Sequence, residues 1–381
     1  VAEAQASSGV AIHKVTVGIA GKHIRSLQHS DYIMRDNPDQ YITEDDIEKL
    51  KDQVKKLVML PGEEIIHVLP QEYKVDSEGE IQEPIGMHGK RLEANFHVVV
   101  GQMGSIRNIA RCVREAGLEM ESLTLEPLAS SESVLTKEEK EAGVAIVDIG
   151  GGTTDIAIFK DNIIRHTCVI PYGGGIITDD IKEGCSIIEK HAEQLKVKFG
   201  SAMPEMEKDS TFVTIPGLVV NARVEEILEM VNTELKAYGA FEQKKKLIAG
   251  IVLTGGGSNL KNLRQLANYT TGFDSRIGFS NEYVANDKNQ FLKGPEYATS
   301  IGLLMESLKI RDKKHSPEQP KPEEVVNEVP AKEETSAQVT ETPEFRTEEQ
   351  VIAESGEKRR NKLTIGQKIM ESVKKFFEEV E

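Results

Sequence analysis

Hydrophobic residues follow two rhythms along residues 1–310. Runs of β-branched and apolar residues at 15–21 (VTVGIAG), 64–70 (EIIHVLP) and 96–101 (FHVVVG) predict strands. Apolar residues spaced by three and four predict amphipathic helices over 44–57, 106–116 and 224–235. The two patterns alternate, which predicts an α/β chain. No fixed-period repeat of the kind that builds solenoids or propellers is present.

Two strand-like runs end in triple glycines. In GVAIVDIGGGTTDIAIF (143–159), the apolar Val144–Ile149 meets Gly150, Gly151, Gly152, Thr153 and Thr154, and a second β-rich run follows over 156–159. This pattern predicts a hairpin. Glycines let the backbone approach a ligand and turn its N–H groups inward, and Thr153 and Thr154 add hydroxyl donors, so the turn suits a phosphate. Asp148 would repel a phosphate directly but could hold a hydrated Mg²⁺. The alternative is a tight hairpin that binds nothing. In GIVLTGGGSNLKNLRQLANYT (250–270), a short strand passes through Gly255, Gly256 and Gly257 to Ser258 or Asn259. Either could cap a helix carrying Leu260, Leu263 and Leu266, whose N-terminus attracts anions. A plain strand-to-helix turn is the competing reading. Two such loops about a hundred residues apart favour a nucleotide held between them.

Other nucleotide motifs fail. GIAGKH (18–23) has His23 where a P-loop needs Ser or Thr, and no glycine stands five residues before Gly21. GGGTTD has Asp155 where the dinucleotide fingerprint ends in glycine, and a strand follows it instead of a helix. Cys112, Cys168 and Cys185 are far apart, and the nine histidines form no ligand motif, so neither a disulfide framework nor a zinc site is indicated. A reducing compartment fits this cysteine usage.

Charge divides the chain further. The net charge is −16, which argues against nucleic acid as a partner. No stretch is long and apolar enough to read as a membrane span. Residues 316–357 hold five prolines and twelve glutamates against three basic residues, a composition expected to remain a disordered linker. Beyond it, residues 358–375 carry seven basic residues against Glu371 alone. KLTIGQKIMESVKKFFEEVE (362–381) sets Leu363, Ile365, Ile369, Met370, Val373, Phe376, Phe377 and Val380 on one helical stripe, beside Lys362, Lys368, Lys374 and Lys375. That is the layout of a helix lying on anionic lipid, where each basic residue contributes roughly 1 kcal/mol. Folding back on the core or pairing with a partner helix are the alternatives. The chain opens at Val1 without the layout of a secretory signal and reads as a fragment that has lost its beginning.

These phrases carry a resemblance. VDIGGGTTDIAIF is similar to the second phosphate motif of actin-like ATPases, and IVLTGGGSNL to their adenosine motif, in the expected order and spacing. LEPLASSESVL (125–135) and YATSIGLL (297–304) are similar to the two connecting helices. With KVTVGIAGKHIRS, VLPQEYKVD and RHTCVIPYGG, the chain resembles the FtsA family of bacterial cell-division proteins over about 15–308.

The resemblance implies an actin-like fold: ribonuclease H-like, duplicated, two lobes around an ATP cleft, with an inserted small α+β subdomain. On this sequence it implies the end of a first-lobe core (1–12), the insertion (13–104), the first-lobe core continued (105–142) and a second-lobe core with the phosphate hairpin (143–196). An outer subdomain (197–246), a core with the adenosine motif and a connecting helix (247–310), the acidic linker (311–357) and a membrane helix (358–381) complete it. Asp148 would organise Mg²⁺, Gly173 and Gly174 would flank the phosphates, and Glu193 and Lys196 would contact ribose and adenine. Glu126 matches a position that orients the attacking water in chaperone-type relatives; a structural glutamate at a helix start is an equally good reading. The family's upstream phosphate hairpin, with an Asp-x-Gly pattern, is missing from the sequence. The implied activity is that of a nucleotide-switched scaffold, at most a weak ATPase, on the cytoplasmic face of the membrane at the septum. The implied partners are the C-terminal peptide of FtsZ, with Arg223 as a contact, further copies of itself, later division proteins and anionic lipid. A soluble actin-fold ATPase or sugar-kinase-like enzyme is the alternative.

Overall fold

The computed structural model describes residues 1–203, 219–280 and 291–315. Most of the acidic linker and the whole amphipathic stretch, with Ile365, Lys368, Ile369, Met370, Val373, Lys374, Phe376 and Phe377, lie outside the described residues. No helix among the described residues is long and apolar enough to cross a membrane.

Strands β7 (Val144–Ile149) and β8 (Thr154–Lys160) form the expected hairpin, extended by β9 (Ile163–Ile170). On the other side, β10 (Ile251–Thr254) runs parallel to β7 and β11 (Ser275–Ile277) parallel to β10. The order β11-β10-β7-β8-β9 is a mixed ribonuclease H-like sheet. Every residue of β7 and β10 is buried, which is why these strands read as apolar runs interrupted only by Asp148 and ended by Thr254. Side chains still alternate between faces. Ala145, Val147, Ile149, Ile156, Ile158, Ile251 and Leu253 enter one core, while Val144, Ile146, Ala157, Phe159 and Val252 enter the other.

The first core is roofed by α6 (Gly174–Cys185), α7 (Glu189–Phe199), α8 (Val219–Tyr238) and α9 (Leu263–Thr271). Val224, Leu228, Val231 and Leu235 of α8 point into it, at the spacing that predicted the helix. The second core lies under α4 (Glu126–Val134) and α10 (Ala298–His315), with α5 (Lys137–Ala142) beside it; α10 continues through 311–315, where the linker was expected to begin.

The smaller sheet, β2-β5-β3-β4, is built from β2 (Ile24–Met34), β3 (Glu63–Val75), β4 (Glu78–Ile81) and β5 (Arg91–Gln102), all antiparallel. Helix α2 (Glu44–Val54) covers one face, packing Ile47, Leu50 and Val54 on Leu92, Ala94, Phe96, Val98 and Val100. Its first turn is closed by a capping box of Thr43 and Asp46. Strand β1 (Lys14–Ile19), which the sequence reading assigned to this insertion, pairs instead in parallel with β6 (Glu119–Leu125), the strand that leads into α4. A short helix α1 (Ala2–Ser8) precedes β1, and α3 (Met103–Glu115) links β5 to β6.

The other face of the small sheet docks on β9 through polar contacts. Ser26 Oγ donates to the Thr167 carbonyl at 3.3 Å, Gln71 Nε2 donates to the Ile164 carbonyl at 2.6 Å, and His97 Nε2 lies 3.0 Å from Thr167 Oγ1. Arg165 donates to Glu72 at 2.6 Å and to Asp161 at 3.0 Å. Strand β9 is an edge strand, and these bonds occupy groups that would otherwise remain available for pairing with another chain.

Candidate functional site

The two glycine loops meet at the ends of β7 and β10. Gly255 has φ +83°, and a side chain there would strike the Asp148 carboxylate and the Ile149 carbonyl. Only glycine satisfies both the backbone and the contact. The loop after β9 closes just as tightly on the hairpin. Gly174 N–H donates to the Gly150 carbonyl at 2.8 Å and Gly175 N–H to the Gly151 carbonyl at 2.7 Å. A Cβ on Gly173 would come within 2.5 Å of the Gly150 oxygen.

Between the loops lies a cavity of about 290 Å³. Of the residues singled out from sequence, Gly150, Gly151, Gly174, Glu193, Lys196, Gly256 and Gly257 line it. Gly152, Thr153, Thr154, Gly173, Gly255 and Ser258 do not. Sequence reasoning missed the apolar wall of Val224, Ile227 and Leu228 from α8 and Leu260 and Leu263 from the second loop. Its signals were the helical stripe of α8 and the leucine stripe after the second loop, both of which read as ordinary core. The lining combines glycine backbone and charge with aliphatic side chains, a combination suited to an anion joined to a flat apolar ring.

Lys196 fixes the charged part of the lining. Its Nζ donates to the Gly174 carbonyl at 2.7 Å and to Thr178 Oγ1 at 2.8 Å, and pairs with Glu193 at 2.7 Å. Glu193 also accepts from Thr178. The carboxylate sits below its ordinary pKa because these two hydrogen bonds and the Lys196 charge outweigh its partial burial, which acts in the opposite direction and is the largest single influence.

Two threonine and serine expectations are corrected. Thr154 is fully buried and gives its hydroxyl to the Tyr172 carbonyl at 2.8 Å, while Ser258 gives its hydroxyl to the Thr254 carbonyl at 2.5 Å. Each hydroxyl holds a loop in place by bonding a backbone carbonyl. Nor does Ser258 or Asn259 cap a long helix: residues 256–259 form a single 3-10 turn, and α9 starts at Leu263 after Asn262, which has φ +60°. Three successive glycines and a left-handed Asn favour a tight turn over helix nucleation.

On the other side of the hairpin, three carboxyl groups gather. Asp148 is 8% exposed; its Oδ2 accepts from Ser130 Oγ at 2.7 Å and Thr299 Oγ1 at 3.1 Å. Burial raises its pKa despite these bonds. Asp155, directly opposite in the β7–β8 register, accepts from Thr153 Oγ1 at 2.7 Å while its Oδ1 is buried without a partner. Burial, then the nearby Asp148 and Glu126, push Asp155 up to about 7. Glu126, the first residue of α4, is raised by burial and by Asp148. Its side chain occupies the space above Gly18, where a Cβ would come within 2.8 Å. Asp155 was overlooked in sequence because it was weighed only as a failed glycine; its strand partnership with Asp148 is the feature that marks it. Among the described residues, no group of three or more His, Cys, Asp or Glu side chains is arranged to hold a metal directly.

Arg223, on α8, is already engaged. It donates to Asp180 at 2.7 and 3.2 Å and to Glu226 at 2.5 Å.

The fold and site define a two-lobed, actin-like α/β protein carrying an inserted α+β subdomain. In keeping with this, the chain is similar to a solved PilM–PilN type IV pilus biogenesis complex, with a TM-score of 0.57 at 18% identity, over 80% of this chain and 82% of that one. Residues 145–302 match the family model of cell division protein FtsA, and residues 21–100 match that of the SHS2 domain inserted in FtsA. The chain is 38% identical over 322 residues to cell division protein FtsA of Pseudomonas aeruginosa, covering 80% of this chain and 75% of that one. With the namesake of Escherichia coli K12 it shares 33% over 321 residues, covering 79% and 76%. The chain belongs to the FtsA family of cell-division proteins.

Proposed function

We propose that this chain is a membrane-tethered scaffold of cell division, switched by ATP and Mg²⁺, that anchors FtsZ filaments and recruits later division proteins. The observation that carries the nucleotide half is the cavity shared by the two glycine loops, lined by Lys196 and Glu193 together with the aliphatic wall of α8. The purine would rest on Val224, Ile227 and Leu228, and the ribose would lie by Glu193 and Lys196. The phosphates would reach Gly150 and Gly151 on one side and Gly256 and Gly257 on the other.

The carboxyl cluster fits a hydrated cation. Asp155 Oδ1 is buried without a partner opposite Asp148, and burial holds all three carboxyls above their ordinary pKa values, with like charge adding to this at Asp155 and Glu126, so a dication would stabilise their ionised forms. Asp148 would hold it through water, as a single carboxylate in a site without a direct metal cage must. Magnesium would neutralise phosphate charge there. Glu126 and Asp155 would orient water beside it, consistent with slow hydrolysis and a mainly regulatory use of ATP. Nucleotide would then act by changing the relative angle of the two lobes.

The scaffold half rests on the sequence of 358–381 and on family membership. The stripe from Ile365 to Phe377, with Lys368 and Lys374, would lie on anionic lipid at the cytoplasmic face of the membrane, at the septum, with the acidic linker as tether. FtsZ would present its C-terminal peptide near α8. Arg223 could serve it only by exchanging Asp180 and Glu226 for a peptide carboxylate. Self-association into actin-like filaments and capture of later division proteins by the insertion complete the proposal.

The test is co-sedimentation of the chain with anionic vesicles and FtsZ filaments, with and without residues 358–381. The proposal expects FtsZ to be carried to the vesicles only by the longer chain. Equal sedimentation by both would contradict it and favour a soluble actin-fold enzyme.

A further inference from the structure

Helices α4 and α10 cross at backbone contact. A Cβ on Gly302 of α10 would run into the Ala129 carbonyl of α4, and Ser133 Oγ of α4 donates to the Ala298 carbonyl at 2.7 Å. Beside this crossing, one hydroxyl from each helix reaches the same carboxylate oxygen. Ser130 Oγ lies 2.7 Å and Thr299 Oγ1 3.1 Å from Asp148 Oδ2, and the two hydroxyl oxygens are 2.9 Å apart.

Ser130 differs from Ser131 beside it in where its hydroxyl goes. Helical serines commonly bond back to a carbonyl in the preceding turn. Ser131 does so to Leu128 at 2.7 Å, while Ser133 divides its hydroxyl between the Ser130 carbonyl at 3.0 Å and the Ala298 carbonyl of α10 at 2.7 Å. Ser130, fully buried, turns its hydroxyl out of α4 to the end of β7 instead. The carboxylate it meets is the residue assigned above to the cation, and Gly255 of the second loop is pressed against that same group.

We propose that Ser130 and Thr299 are positioning residues: they fix the rotamer of Asp148 for the magnesium ion that accompanies the nucleotide, and they tie that carboxylate to the α4–α10 crossing. The proposal rests on the nucleotide reading given above. A cation beside Asp148 draws on the same carboxylate that accepts from a hydroxyl of each helix, so its arrival changes the strength of both bonds while the rotamer stays fixed. Occupancy of the cation site is therefore felt where the helices cross, on the far side of β7 from the nucleotide cavity.

The test compares wild type with Ser130→Ala, Thr299→Val and Thr299→Ser. Binding of a fluorescent ATP analogue is measured with Mg²⁺ and with EDTA, and amide exchange of α4 and α10 is followed on adding Mg²⁺ and ATP. Loss of one hydrogen bond to a charged group predicts that Ser130→Ala and Thr299→Val each lower the enhancement of affinity by Mg²⁺ roughly tenfold. Affinity in EDTA stays as in wild type. Thr299→Ser, which keeps the hydroxyl, retains the enhancement, and this separates positioning from simple loss of packing. In wild type, added Mg²⁺ and ATP slow exchange in both helices; in Ser130→Ala and Thr299→Val they do not. An unchanged Mg²⁺ enhancement in both variants, in a wild type that shows one, overturns the proposal and leaves the nucleotide reading standing. A wild type that binds no ATP in either condition overturns both.

Discussion

Asp148 and Asp155 face one another across the β7–β8 ladder as direct register partners, one strand-pair before the glycine turn. Both are buried, at 8% and 4% exposure, and both carboxyls are held above their usual range, Asp155 at about 7. Like-charged neighbours directly opposite on a sheet are destabilising. A fold that keeps such a pair spends stability at the place where a cation would restore it.

Replacing Asp155 by Asn should therefore stabilise the ligand-free protein. A carboxyl raised from 3.8 to about 7 costs the folded state increasingly as pH climbs from 3.8 through 7, and the full cost is present above 7. The shift corresponds to on the order of 4 kcal/mol. Denaturant melts of wild type and Asp155→Asn should differ most at pH 8 and progressively less toward pH 5. A variant less stable than wild type at pH 8 would contradict this account.

The glycines should separate into two kinds. A methyl at Gly151 meets nothing within 4 Å, whereas one at Gly255 strikes Asp148 and Ile149 on a left-handed backbone. Gly151→Ala should melt within about 1 kcal/mol of wild type yet bind ATP at least tenfold more weakly, because its methyl sits in the phosphate path. Gly255→Ala should lose both, with a stability cost of more than about 1–3 kcal/mol. Calorimetric binding alongside thermal melts distinguishes them.

The docking of the insertion on β9 should weaken in mild acid. Burial pushes His97, 1% exposed, down to about 4, and His67, whose Nε2 accepts the Leu125 N–H at 3.0 Å, also to about 4. An imidazole depressed below its ordinary 6.5 contributes stability that is whole above 6.5 and lost as pH falls through 4. At pH 5 the loss is about 2 kcal/mol for each group. His97→Gln, which can still donate to Thr167, should flatten the dependence measured by denaturant melts between pH 7 and 5. A slope identical to wild type would contradict the depressed pKa of His97.

What could be read from sequence was what neighbouring residues encode. The hairpin of 144–160 showed in a largely apolar run ended by three glycines, and α8 in its three- and four-residue steps. Features set by distant partners did not show. Lys14–Ile19 read as part of the insertion, but its register partner β6 lies about a hundred residues further on. Thr154 looked like a ligand donor and Ser258 like a helix cap until the structure placed the Tyr172 and Thr254 carbonyls within their reach. Asp155 became significant only through its pairing with Asp148. The polar seam of Ser26, Gln71 and His97 on β9 joins segments up to 141 residues apart, and no local pattern announces it.

The most direct test of the central claim is a crystal structure grown with Mg²⁺ and a non-hydrolysable ATP analogue. The account predicts the purine against Val224 and Leu228, the phosphates between Gly150–Gly151 and Gly256–Gly257, and the cation on the Asp148 side of the hairpin. Nucleotide density anywhere else on the protein, with that cavity left empty, would contradict it.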